Sequence, residues 1–236
     1  MLFKIAAFVF AGFAGTATLF LGKIPFFAKR ALTAKMLCSL CFVLCGVCSV
    51  VASGFTPYAA FMLGGLLLGA LGDFFLDYME RKYFLWGALF FGAGHILYIL
   101  NFITGFKAPL FVSPYLGQII GLTAFMAFMS AVVVFLNKLR FHGKFKWMIP
   151  YALVLLASFI VSFSRGMVLL VSGDYPMAFC LLGASALFIA SDTSLAISMF
   201  GTPPHVFFEK MTKWLVNVTY FPAQALFALS IMFYCN

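Results

Sequence analysis

Residues 57–78 read PYAAFMLGGLLLGALGDFFLDY, a run without Lys or Arg whose two acids, Asp73 and Asp77, fall near its end. A helix that crosses a bilayer needs ~20 largely apolar residues at ~1.5 Å each, and this run has that length. Its flanks are Gly54 to Pro57 on one side and Glu80, Arg81 and Lys82 on the other. Turn formers and charge at both ends, with little but apolar residues between, are the marks of a membrane span.

The same pattern recurs along the chain. Apolar runs cover Leu2–Leu21, Ala31–Ala52, Pro57–Tyr78, Tyr83–Thr104, Val112–Leu136, Trp147–Phe163, Tyr175–Phe200 and Trp214–Tyr234, each broken from the next by Pro, Gly or charge. The 236 residues are 65% hydrophobic and 9% charged, whereas soluble domains sit near ~45–50% and ~25%. So much apolar surface has no place in one water-soluble core. The expected fold is all-α: a polytopic bundle of about eight transmembrane helices, with residues 1–236 as one transmembrane domain. The first run has the small residues Gly15 to Ala17 of a signal peptide, but its length and single preceding Lys4 favour a retained span.

The net charge of +9 would raise nucleic-acid binding in a soluble chain. Here the cations lie in the gaps between apolar runs, so they set topology and no nucleic-acid partner is expected. Twelve of the fifteen Lys and Arg fall on one side: Lys23, Lys29, Arg30 and Lys35, then Arg81 and Lys82, then Lys138, Arg140, Lys144 and Lys146, then Lys210 and Lys213. Lys4, Lys107 and Arg165 fall on the other. Basic loops face the cytoplasm, so both termini should be extracytoplasmic or lumenal. The expected location is the endoplasmic reticulum or another endomembrane in a eukaryote, and the inner membrane in a bacterium. Nothing in the sequence sets an oligomeric state.

Cys38, Cys41, Cys45 and Cys48 have the spacing of an iron–sulfur run, but they sit in one continuous apolar helix and are expected to be packing residues. Gly65 with Gly69, and Gly117 with Gly121, form GxxxG pairs suited to close helix approach.

Three acids lie inside spans: Asp73, Asp77 and Asp192. An ionisable group in hydrocarbon costs ~2.5–3.5 kcal/mol, so such residues face the bundle interior and serve a function. Asp73 stands eight residues before Arg81 and Asp192 nine before Gly201, placing both about 12–13 Å from the same membrane face. Asp77 is one turn nearer the water. In the fourth span His95, Tyr98 and Phe102 share a helix face, as do Asn217, Tyr220 and Gln224 in the eighth, and Ser191 and Ser194 flank Asp192. If these faces converge, they form a polar pocket in an apolar bundle. No HxxxH, HExxH or paired-Cys spacing lies near these acids, so no metal and no cofactor is expected. Intramembrane Asp and His also serve proton-coupled transporters of small molecules or lipids, which is the alternative reading.

The polar residues carry a resemblance. Gly72-Asp73-Phe74-Phe75-Leu76, Gly94-His95-Ile96-Leu97-Tyr98 with Phe102, Phe188-Ile189-Ala190-Ser191-Asp192 with Leu195, Ala196 and Phe200, and Tyr220-Phe221-Pro222-Ala223-Gln224 stand in this order. From about Leu66 onward the chain resembles the TMEM86/YhhN family, the lysoplasmalogenases; the first two helices are similar only in character. The resemblance implies a hydrolase that cleaves the vinyl ether bond of a lysophospholipid substrate, giving a fatty aldehyde and glycerophosphocholine or glycerophosphoethanolamine. It implies that Asp73 and Asp192 are catalytic. One departure touches head-group preference: Ser198 and Met199 stand where the family often has Asn and a basic residue.

Vinyl ethers hydrolyse by proton transfer to the β-carbon, and water captures the resulting oxocarbenium ion. Two carboxyls supply the acid and the stabilising anion, as in glycosidases. Which Asp is the acid stays open; the apolar neighbours Ile189 and Leu195 lean towards Asp192. His95, Tyr98, Tyr220, Gln224, Ser191, Asn217 and Asp77 would support the carboxylates, the water or the substrate, and Arg81, Lys82, Lys210 and Lys213 would draw in the phosphate.

Overall fold

The computed structural model describes residues 1–21, 31–78, 84–106, 148–200 and 206–234. These form seven α-helices, with no strand among the described residues: α1 Leu2–Leu21, α2 Ala31–Ser53, α3 Pro57–Tyr78, α4 Phe84–Thr104, α5 Ile149–Val171, α6 Tyr175–Phe200 and α7 Val206–Phe233. Six of them hold stretches long and apolar enough to cross a membrane, within α2 to α7. The protein is an integral multi-pass membrane protein. The expected fifth span, Val112–Leu136, and the Gly117/Gly121 pair lie outside the described residues.

The packing order closes a ring. Helices α2, α3, α4, α5, α6 and α7 each pack on the next, α7 returns to α2, and α1 lies against α2 and α7. Two ends are tied by three-residue turns, 54–56 and 172–174. Gly54 (φ +96°) and Gly173 (φ +86°) occupy the left-handed conformation that ends a helix, which residues with a Cβ rarely adopt. The Asp174 N–H closes the second turn on Leu169 O at 3.0 Å, and its carboxylate accepts from the Met177 N–H at 3.4 Å as the N-cap of α6. The opposite end of the bundle therefore gathers the start of α2, the end of α3, the start of α5, the end of α6 and the start of α7.

The interior is largely apolar, as in a soluble protein, but the outside is apolar as well. Leu67, Leu89, Ile96, Leu153 and Phe179 face outward, while Asp73, His95, Asn101, Arg165 and Gln224 are buried. Lipid is the solvent that rewards this arrangement. Cys38, Cys41 and Cys45 are buried unpaired thiols of α2, packed in the core.

Two span boundaries differ from the sequence expectation. The sixth span was expected to stop at Phe163, with Arg165 in the following loop, but α5 runs on to Val171 and buries Arg165 to 1% exposure. Its Nε and Nη2 donate to Phe102 O at 3.1 and 2.9 Å, and its guanidinium lies 4.5 Å over the Phe106 ring. Phe102 is in the last turn of α4, where carbonyls lack helical partners and a cation suits the helix dipole. Arg165 thus caps a neighbouring helix rather than meeting water. Helix α7 begins at Val206, eight residues before the expected Trp214, because hydropathy marks where lipid begins and not where hydrogen bonding does.

The GxxxG pair of α3 does more than let backbones approach. A Cβ on Gly65 would lie 2.1 Å from the Tyr98 ring, and one on Gly69 would lie 2.6 Å from Gln224 Nε2. These glycines make room for polar side chains at the bundle centre. The close backbone approach of α3 and α4 pairs Gly65 with Gly94, whose Cβ would sit 3.1 Å from Gly65 O, and Gly72 with Gly87, whose Cβ would sit 3.3 Å from Gly72 O.

Candidate functional site

Asp73 lies near the end of α3, on the face that carries Gly65 and Gly69, and is 1% exposed. Its Oδ2 accepts from Ser39 Oγ of α2 at 2.6 Å and from the Tyr220 hydroxyl of α7 at 2.9 Å. Lys35, one turn before Ser39, brings its Nζ to 3.9 Å from Oδ1. A buried charge persists only with such company.

The donors reach further back. Gln224 Nε2 donates to the Tyr220 oxygen at 3.3 Å, and the Tyr98 hydroxyl donates to Gln224 Oε1 at 3.0 Å. A hydroxyl has one proton, so the chain Tyr98, Gln224, Tyr220, Asp73 runs in one direction and ends on Oδ2 as acceptor. An ionised carboxylate suits that end, with Lys35 beside its other oxygen, and each bond in the chain polarises the next. The Tyr220 ring is held edge-on by Phe42, Phe91 and Phe188, with centroids 6.2, 5.9 and 5.6 Å away. Edge-to-face contacts of this kind fix its orientation without hydrogen bonds.

Asp192, near the end of α6 and 8% exposed, has different surroundings. Its Oδ2 accepts from the Tyr151 hydroxyl, presented by the first turn of α5. The end of α6 lies at the same end of the bundle as the end of α3 that carries Asp73. The two acids therefore share one end of the bundle, as their equal depth in the sequence predicts. One is enclosed by two hydrogen-bond donors and a cation, whereas the other, among the described residues, meets one phenol and keeps some exposure.

His95 sits one turn from Tyr98, with its ring edge-on to Tyr98 at 5.9 Å and to Tyr151 at 6.4 Å, but its hydrogen bonding is separate. Its Nδ1 is 3.0 Å from Ser158 Oγ, its ring stands edge-on to Phe188 at 4.5 Å, and its Nε2 is buried without a protein partner. It lines a small cavity of about 10 Å³ with Ser158, Ser162 and Ser185, roughly the room one water needs. Ser162 and Ser185 bond each other at 2.6 Å.

The remaining expected residues are placed as follows. Ser191 is buried beside Asp192, but its hydroxyl turns to Val216 O at 3.4 Å. Ser194 bonds back to Ala190 O of its own helix at 2.8 Å. Asn217 is exposed and stands apart from the Tyr220 and Gln224 chain. The Asp77 side chain lies outside the described residues. Ser39, Tyr151 and Ser158 bear on the site without having been singled out from the sequence, and Lys35 had been read only as a topology signal. Among the described residues, no three His, Cys, Asp or Glu side chains gather as a metal site requires.

A family model for the YhhN family matches residues 30–231. The chain belongs to the YhhN family. The match starts just ahead of α2, so it takes in Lys35 and Ser39, which the shorter resemblance from about Leu66 left out. Every described member of the Asp73 and Asp192 clusters lies within the YhhN match, while α1 precedes it. No solved structure matches the chain.

Proposed function

We propose that this YhhN-family protein is a lysoplasmalogenase, a membrane-embedded hydrolase of the vinyl ether bond of 1-alkenyl lysophospholipids. One observation carries the reading: two carboxyls at one depth, of which one is enclosed by converging donors and the other is not. Vinyl ether hydrolysis needs such an unequal pair, an acid and an anion.

Asp192 is the general acid. It gives its proton to the β-carbon of the vinyl ether, and the double-bond electrons form the new C–H bond. The adjacent carbon becomes an oxocarbenium ion, which Asp73, held ionised, stabilises. Water adds to that carbon and returns a proton to Asp192. The hemiacetal then collapses to a fatty aldehyde and the glycerophospho-alcohol. The chain Tyr98, Gln224, Tyr220 keeps Asp73 anionic and in place, and Tyr151 aims Asp192. His95 stands edge-on to both Tyr98 and Tyr151 and helps to position the phenols that serve the two acids. The end of the bundle that holds both acids faces the cytoplasm, on the strength of the basic loops, and both termini face away from it.

A second reading draws on the polar residues that α5 carries along its length, Tyr151, Ser158, Ser162 and Arg165. A proton-coupled carrier would use such a stripe. Purified protein in detergent with 1-alkenyl glycerophosphocholine and glycerophosphoethanolamine separates the two. A hydrolase releases aldehyde without a sealed bilayer. A protein that releases none from either substrate, yet moves solute into sealed liposomes, is a carrier.

A further inference from the structure

We propose that Lys35 is the specificity residue of this site: it grips the substrate's phosphate while it neighbours Asp73, and so selects phosphate-bearing alkenyl lipids over neutral alkenylglycerols. The proposal rests on the hydrolase reading above.

Lys35 is the fifth residue of α2, one turn inside the helix start, at the end of the bundle where both acids lie. Its side chain is 16% exposed against 2% for the Asp73 side chain, so it spans the boundary between the enclosed carboxylate and the rim. The Nζ to Oδ1 separation of 3.9 Å is an ion-pair distance rather than a hydrogen bond. Ser39 and Tyr220 already supply the hydrogen bonds to Asp73. What Lys35 adds is positive charge, on a flexible stem whose ammonium carries three donors.

The substrate's own dimensions fit. Five bonds separate the vinyl ether oxygen from phosphorus in a 1-alkenyl glycerophospholipid, on the order of 6 Å at ordinary bond lengths. An oxocarbenium ion lying against Asp73 places the phosphate about one ammonium away. The Lys35 Nζ stands 3.9 Å from Oδ1, and a charge-assisted contact adds ~2.8 Å beyond it. One cation between two anions joins substrate binding to the carboxylate that stabilises the transition state. The side chains of Arg81, Lys82, Lys210 and Lys213 lie outside the described residues, and Lys35 stands beside the Asp73 carboxylate.

The test uses the full-length protein in mixed micelles, with substrate given as mole fraction. Two substrates share one alkenyl chain: 1-alkenyl glycerophosphocholine and 1-alkenylglycerol, which lacks the phosphate. Wild type should show a KM at least about tenfold lower for the phosphate-bearing substrate, the size of one charged contact of ~1.4 kcal/mol. Lys35→Met should raise that KM about tenfold and leave the KM for alkenylglycerol unchanged, and Lys35→Arg should restore most of the difference. Equal wild-type KM values for the two substrates overturn the proposal without any variant. So does a Lys35→Met protein that keeps the wild-type KM on both substrates and loses only kcat, because Lys35 would then act through Asp73 alone. Failure of wild type to release aldehyde from either substrate instead sinks the hydrolase reading, and this proposal with it.

Discussion

Tyr220→Phe removes one oxygen and leaves the ring where Phe42, Phe91 and Phe188 hold it. The lost oxygen donates to Asp73 at 2.9 Å and accepts from Gln224 Nε2 at 3.3 Å. A hydrogen bond to a charged group contributes ~1.5–3 kcal/mol. Asp73 keeps Ser39 and Lys35, so the lower half of that range applies, and each 1.36 kcal/mol is about tenfold in rate. The expected loss in kcat is therefore about tenfold to fortyfold, with KM little changed, because the anion matters most when the cation forms. Aldehyde release by the purified variant measures it, beside a circular dichroism check of helix content. Ser39→Ala removes the second donor to the same oxygen, so the double variant should deviate from additivity by ~0.5–3 kcal/mol. A folded Tyr220→Phe protein with wild-type kcat would show that the donor chain does not tune Asp73.

Further outcomes follow from the packing. Gly65→Ala places a methyl 2.1 Å from the Tyr98 ring, and overpacking of this kind should lower stability by ~1–3 kcal/mol, read as an earlier thermal unfolding midpoint in detergent. Arg165→Met leaves Phe102 O of α4 without its donors, so a loss of ~1–3 kcal/mol is expected, with no change in KM, since Arg165 caps α4 away from both acids.

Much of the architecture was legible because membrane insertion writes itself into composition. The bounds of α3 at Pro57 and Tyr78 follow from the turn before and the charges after, and those of α6 from Asp174 and Pro176 at its start. Arg165 was misplaced because hydropathy treats a cation as water-facing. Its partners, the Phe102 carbonyl and the Phe106 ring, lie about sixty residues away in the chain and come into reach only once α4 and α5 pack.

The site was legible in its acids and less so in what surrounds them. Asp73, Asp192, Tyr220 and Gln224 announce themselves as polar residues in lipid. Ser39 does not, since a serine in an apolar helix is cheap to bury when it bonds its own backbone. Tyr151 lies at a span edge, where tyrosine is ordinary. Asn217 shares a nominal face with Tyr220 and Gln224, yet that face spans about 60° at ~100° per residue, and spacing alone does not say which edge a neighbour covers. The GxxxG pair pointed correctly to a close approach, since Gly94 of α4 meets the Gly65 backbone, but not to the Tyr98 and Gln224 side chains that fill the space over Gly65 and Gly69.

The most direct test of the paired-acid account is aldehyde release from 1-alkenyl lysophospholipid by wild type, Asp73→Asn and Asp192→Asn, each purified in detergent and matched for helix content. The account predicts release by wild type and its loss, by at least about a hundredfold, in each single variant. Release by either variant at the wild-type rate would contradict the paired-acid mechanism.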